Sequence, residues 1–174
     1  MTNKKTGRLN PKYYQLYSQA HNNAVDLLAE AELLFAKNRY ARAYVLAFSG
    51  LEEIAKSQLA ADVYTGYISV EDFKKHFTKH DKKIGRVMWA TLDAQGYFVD
   101  DPDEIAELEA SHPTIKDRMA ALYTDFAGDN IVAPEDTVDK GQAERIIHIL
   151  TTAIQRIVEV EYTQDRIGTK GFMK

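Results

Sequence analysis

Charged residues interrupt an otherwise apolar helical segment at Leu51–Lys56 (LEEIAK), because the preceding stretch 40–51 carries a single charged side chain. At about 100° per residue, Glu52 lies at the edge of the apolar face, and Glu53 and Lys56 lie nearly opposite it. Glu52 and Lys56 are four residues apart, the favourable orientation for an ion pair along a helix. Either these charges are solvated where the helix reaches the surface, or they are partly buried and need partners. Partly buried acids and lysines have shifted pKa values, which binding and catalytic sites use.

A second polar group follows at His76, His80 and Lys83, spaced by four and three residues. The apolar stripe of this stretch consists of Phe73, Phe77, Ile84 and Met88. His80 falls within the stripe, so we expect it to point at a neighbouring helix, whereas His76 and Lys83 lie along one edge. A carboxylate on that neighbour can orient an imidazole for acid–base chemistry. A histidine simply hydrogen-bonded in the core fits the same pattern.

Metal binding is the weaker interpretation of the two histidines. His76 and His80 are one helical turn apart, and Glu52 or Glu53 would complete a site of two histidines and one carboxylate. No glutamate follows His76 directly, as it does in metallohydrolase helices. We therefore predict neither a metal nor a cofactor.

The same helical stretch is basic on one side. Its cations are Lys74, Lys75, Lys79, Lys82, Lys83 and Arg86. Such a face can bind the phosphates of RNA or of a nucleotide. The alternative is that these basic side chains are solvated, or that they pair with the acidic segment 100–109.

Composition limits the class of protein. The net charge of −4 does not favour general polyanion binding, and the absence of cysteine excludes disulfides and thiolate chemistry. No apolar run reaches the roughly 20 residues that span a bilayer, and the polar N-terminus lacks a signal-peptide pattern. We expect a cytoplasmic protein without a membrane partner.

Hydrophobic periodicity predicts an all-α protein, an antiparallel helical bundle with minor additional helices. Long helices are expected from Pro11 to about Lys37-Asn38, over 40–64 before the stop at Thr65-Gly66, and from about 140 to the end of the apolar stripe near Ile157. Shorter ones are expected over 69–92, 102–109 and 113–126, with a loop over 128–139. The expected organisation is a disordered N-terminus (1–10), one helical domain (11–166) and a flexible tail (167–174).

Several short motifs, in order and spacing, resemble the AbiV family of abortive-infection proteins. They are Asn23-Ala24 to Leu34, Tyr40-x-x-Ala43-x-x-Leu46-Ala47, Leu51–Lys56, Phe73-x-x-x-Phe77-x-x-His80-x-x-Lys83, Leu122–Phe126, and Pro134 ahead of the final helix. That family is grouped with the HEPN superfamily. The resemblance implies a HEPN-like bundle, often a homodimer, used in prokaryotic phage defence.

Many HEPN proteins are metal-independent ribonucleases that carry an arginine, four to six residues, and then a histidine. No histidine here has an arginine at that distance, although Lys74 and Lys75 precede His80. Whether the chain is such an enzyme is therefore left open. If it is, the resemblance assigns general acid/base chemistry to His80, orientation to Glu53, and phosphate contacts to Lys56 and Lys83. The remaining candidate binding residues are Glu52, His76, Lys79 and Arg86.

The expected mode of action is on RNA or translation, or through binding a phage protein. The alternative is a non-catalytic protein-interaction or nucleotide-binding helical module. In it, the Glu/Lys/His cluster would be a polar network that fixes helix packing.

Overall fold

Two helices of 26 residues each form the framework of this computed structural model, which describes residues 7–77, 87 and 112–171. Helix α1 spans Pro11–Ala36 and α2 spans Tyr40–Thr65. Proline is tolerated at the first helical position because its missing N–H would be unsatisfied there anyway, and the side chain of Asn10 accepts a hydrogen bond from the Lys12 amide at 3.2 Å. Asn38 turns the chain with a left-handed φ of 56°, and the short connection makes α1 and α2 run antiparallel.

Helix α2 ends where the sequence predicts. Gly66 adopts a left-handed conformation with a φ of 86°, which a residue without Cβ reaches at little cost. The described residues also form the helices α3 (Val70–Phe77), α4 (Ile115–Leu122) and α5 (Lys140–Gln164), and α5 continues seven residues beyond Ile157. The predicted continuation of the third helix to residue 92 and the predicted acidic helix over 102–109 lie outside the described residues, apart from residue 87.

A small β-hairpin interrupts the helical pattern between α4 and α5. Strands β1 (Asp125–Ala127) and β2 (Asn130–Val132) pair antiparallel, and a 3₁₀ helix at Pro134–Asp136 follows. The expectation of a plain loop over 128–139, and of a helix reaching 126, was therefore wrong. Gly128, with a φ of 65°, makes the tight reversal, and strands of three residues are too short to show an alternating pattern.

Helix α2 is the centre of the structure. It packs against α1, α3, α4 and α5, and apolar side chains around its whole circumference are buried. Gly50 allows the closest approach to α5, because a Cβ at this position would overlap the buried side chain of Leu150. The all-α expectation is confirmed. Within the described residues, none of the helices has the length and apolar character needed to cross a membrane.

Both ends of the described chain attach to the last turns of α2. The Leu9 amide donates to the Tyr64 carbonyl at 2.8 Å. The carboxylate of Asp62, which is fully buried, accepts hydrogen bonds from the Thr169 amide at 2.7 Å and from the Thr169 hydroxyl. The tail predicted to be flexible, 167–174, is described as far as residue 171, and this part lies against α2 through these contacts.

Candidate functional site

Glu52 is the most deeply buried charge of the Leu51–Lys56 segment. Only 6% of the residue is exposed. Its Oε2 atom lies 3.9 Å from Nη1 of Arg118 on α4, so the interaction is a long ion pair across a helix interface. The Arg118 guanidinium also lies 5.8 Å from the centroid of the Phe48 ring. The Arg118 Nε is buried and has no hydrogen-bond partner among the described residues.

The cap of α4 determines where Arg118 projects. Thr114 and Asp117 form a capping box, in which the Asp117 amide donates to Thr114 Oγ1 at 3.2 Å and the Thr114 amide donates to Asp117 Oδ2 at 2.8 Å. This box fixes the first turn of the helix, and Arg118 is the next residue. Because α4 packs on α2, its first turn delivers a cation to the buried face of Glu52.

Lys56 pairs with Glu53 and not with Glu52, so the ion pair expected between Glu52 and Lys56 was wrong. Glu53 lies one turn back on the same side of α2, whereas Glu52 points into the interface with α4. The side chains of Glu53 and Lys56 keep 17% and 27% of their surface exposed, as expected for positions opposite the apolar face. Both interpretations of the segment are thus partly realised: Glu52 is buried and paired, and the other two charges stay near solvent.

Of the five remaining predicted site residues, the structure describes only His76. His76, on helix α3, is 7% exposed, so its side chain is buried. His80, Lys83, Lys79 and Arg86 lie outside the described residues. The grouping of His80 and Lys83 with Glu53 and Lys56 remains a prediction. Among the residues that the structure does describe, no three His, Asp or Glu side chains are arranged to hold a metal ion.

A second polar cluster lies beside this segment, between α2, α4 and α5. Tyr44, Asp117, Gln142 and Arg145 line a cavity of about 260 Å³. Burial raises the pKa of the Tyr44 hydroxyl, the nearby Asp117 carboxylate raises it further, and Arg145 opposes the shift. The Tyr44 hydroxyl therefore stays protonated, with the Asp117 carboxylate and the Arg145 guanidinium in the same cluster.

Sequence reasoning missed Arg118 and this second cluster. The Thr114-x-x-Asp117 pattern could have placed the start of α4, and hence the face on which Arg118 lies. Which helix that face meets depends on tertiary packing, which spacing along the chain does not contain. The polar network of the described site thus joins α2 to α4, whereas the sequence pointed only to the helix after α2.

Comparison with known proteins gives one result. A family model described as AbiV, within the HEPN group, matches residues 12–155, which includes α1, α2, α4, the hairpin and most of α5. No curated protein and no solved structure matches the chain significantly.

Proposed function

The chain belongs to the AbiV family of abortive-infection proteins in the HEPN superfamily, and from this premise we propose that it stops phage multiplication by binding a phage protein through its β-hairpin. The observation that carries this proposal is an exposed apolar pair on the hairpin. Glu52 of α2 does not contribute to a contact surface, because it is buried and turned inward onto Arg118.

Phe126 and Ile131 stand directly opposite each other in the β1–β2 register. Cross-strand partners project from the same face of a sheet, so the two side chains form one apolar surface. Phe126 is 75% exposed and Ile131 is 69% exposed. Single exposed apolar residues are ordinary, but large ones placed side by side mark interaction surfaces.

The end of α4, which leads into the hairpin, also exposes apolar side chains. Met119 and Tyr123, four residues apart at the end of α4, are also exposed. Acidic side chains accompany the apolar ones at Asp125, Asp129, Glu135 and Asp136, all of them exposed. An apolar patch with an acidic rim fits a partner whose apolar contact is surrounded by lysine and arginine.

Plating efficiency of phage on cells that express the protein tests the proposal. We expect Phe126→Ser combined with Ile131→Ser to abolish protection, because the apolar contact is lost while both side chains are already outside the core. Leu33→Ser is the matched control, since Leu33 is an exposed apolar residue on α1. Circular dichroism melting should show that both proteins remain folded.

Phage that escape the wild-type protein identify the partner. The protein altered in the escape phage should bind the wild-type chain and the Leu33→Ser variant, but not the hairpin variant. Full protection by the hairpin variant would contradict the proposal, as would equal binding of the phage protein to all three chains.

RNA cleavage is the second candidate function, favoured by the Glu53–Lys56 pair. These two side chains lie together on α2 and remain partly exposed, as a carboxylate that orients a base and a cation that holds phosphate must be. Purified protein should then cleave RNA without added metal, and His80→Ala should abolish cleavage. Cleavage that survives this substitution would remove His80 from the mechanism.

A further inference from the structure

A second cavity lies at the base of the hairpin, beside the first turn of α2. Its volume is about 320 Å³. Arg39, just before α2, and Arg42, in its first turn, line the cavity together with Thr124 and Pro134, which flank the two strands. The predicted site residues that the structure describes, which are Glu52, Glu53, Lys56 and His76, do not line this cavity.

Two arginines supply the charge of the cavity. Neither Arg39 nor Arg42 forms an ion pair with any residue in the described part of the chain. A guanidinium presents its N–H donors in a planar fork that matches the oxygens of a phosphate. Two such groups on one cavity therefore select an anion with several oxygen atoms over a simple halide.

The backbone at the N-terminus of α2 also favours an anion. Among the described residues, no side chain caps the N-terminus of α2, and the first turn of this helix contains no acidic residue. The N–H groups of this turn have no partner within the helix, and the helix dipole places partial positive charge there. Tyr40 and Ala41, in this first turn, also line the cavity.

The other walls of the cavity indicate what kind of molecule carries the anionic group. Leu122 and Val138 provide apolar surface, and Glu135 provides one carboxylate. A carboxylate repels a bare phosphate but accepts hydrogen bonds from hydroxyl groups. A ligand with a phosphate at one end and hydroxyl groups at the other satisfies both walls.

We propose that the cavity beside Arg39 and Arg42 binds a sugar phosphate, with the phosphate on the arginines and a sugar hydroxyl donating to Glu135. The sugar phosphate is either a free metabolite or one unit of an RNA chain, which share this chemistry. The cavity shares Glu135 with the acidic rim of the hairpin surface but does not include Phe126 or Ile131, so binding of a sugar phosphate can be tested apart from phage-protein binding.

Isothermal titration calorimetry with three probes tests the proposal: inorganic phosphate, ribose 5-phosphate and a uridine hexanucleotide. Wild-type protein should bind ribose 5-phosphate more tightly than inorganic phosphate. Arg42→Gln should lower the affinity for ribose 5-phosphate about tenfold or more, as expected when a charged hydrogen bond is lost. Lys37→Gln removes the same charge at a neighbouring exposed position outside the cavity, and it should change the affinity less than about twofold.

Two further variants test the cavity and the sugar contact. Thr124→Trp keeps both arginines but fills the cavity, so it should abolish binding of the probes. Glu135→Ala should lower the affinity for ribose 5-phosphate but not the affinity for inorganic phosphate. A hexanucleotide that binds more tightly than ribose 5-phosphate identifies RNA as the source, and the reverse order identifies a free metabolite. Absence of binding by all three probes, equal losses in Arg42→Gln and Lys37→Gln, or undiminished binding in Thr124→Trp would overturn the proposal.

Discussion

Arg118 on α4 and Glu52 on α2 form an ion pair across a helix interface, with 3.9 Å between Nη1 and Oε2. Glu52 is buried, whereas the Arg118 side chain retains 27% of its exposure. The pair therefore places a carboxylate inside the bundle and its cation at the boundary with solvent. Loss of Arg118 removes this cation from the neighbourhood of a buried carboxylate.

A double-mutant cycle measures this pair. Glu52→Gln and Arg118→Gln, alone and combined, should give a coupling free energy of about 1 kcal/mol, since one partner is partly screened by water. Urea unfolding of the four proteins supplies the values. The matched cycle of Glu53→Gln with Arg118→Gln should couple by less than about 0.5 kcal/mol, because Glu53 pairs with Lys56. Equal coupling in the two cycles would contradict the assignment of Arg118 to Glu52.

Asp62 should make stability depend on pH in an unusual direction. Burial raises the pKa of its carboxyl group in the folded protein, and the hydrogen bonds from Thr169 only partly oppose this shift. The folded state therefore binds the proton more tightly than the unfolded chain does. The resulting stability is fully present below the unfolded pKa, near 3.8, and is lost as the pH rises through the folded pKa.

Asp62→Asn, which does not titrate, isolates this effect. The free energy of unfolding of the wild type minus that of Asp62→Asn should fall as the pH rises from about 4 to about 7. Other carboxylates cancel in this difference, which urea unfolding at several pH values can measure. A difference that stays constant across the range would show that the Asp62 carboxyl group has an ordinary pKa in the folded protein.

Gly50 should not tolerate a methyl group. Gly50→Ala would place a Cβ against Leu150, which is fully buried and cannot move without disturbing the core. We expect a loss of about 1–2 kcal/mol from overpacking, despite the better helix propensity of alanine. Thermal and urea unfolding provide the measurement.

Gly141 in the first turn of α5 is the control for helix propensity. It is exposed, and the nearest atom to a Cβ added at this position would be Asp139 Oδ1, at the ordinary distance of 3.4 Å. Gly141→Ala should therefore leave stability unchanged or raise it by up to about 1 kcal/mol. If both substitutions stabilise the protein equally, the close approach of α2 and α5 at Gly50 is wrong.

The helical framework could be predicted because its signals are local. Pro11 begins α1 and Gly66 follows the end of α2, and each acts through its own backbone preference. The hairpin could not be predicted, because two strands of three residues offer only Gly128 between two exposed apolar residues. That pattern also fits an ordinary polar loop.

The candidate site was predictable only in part. The exposure of Glu53 and Lys56 follows from their place opposite the apolar face, whereas the place of Glu52 at the edge of that face left both burial and exposure open. The partner of Glu52 does not follow, because Arg118 is 66 positions away in the sequence and reaches α2 only through the packing of α4.

The attachment of both chain segments to the end of α2 has a practical consequence for labelling. Leu9 is hydrogen-bonded to Tyr64, and Thr169 is hydrogen-bonded to Asp62, so dyes attached within these two described segments lie beside the same helical turn. At about 1.5 Å per residue, that turn is roughly 33 Å from Tyr40, where the arginine-lined cavity begins. A label attached within either of these two segments therefore lies toward the opposite end of α2 from the arginine-lined cavity.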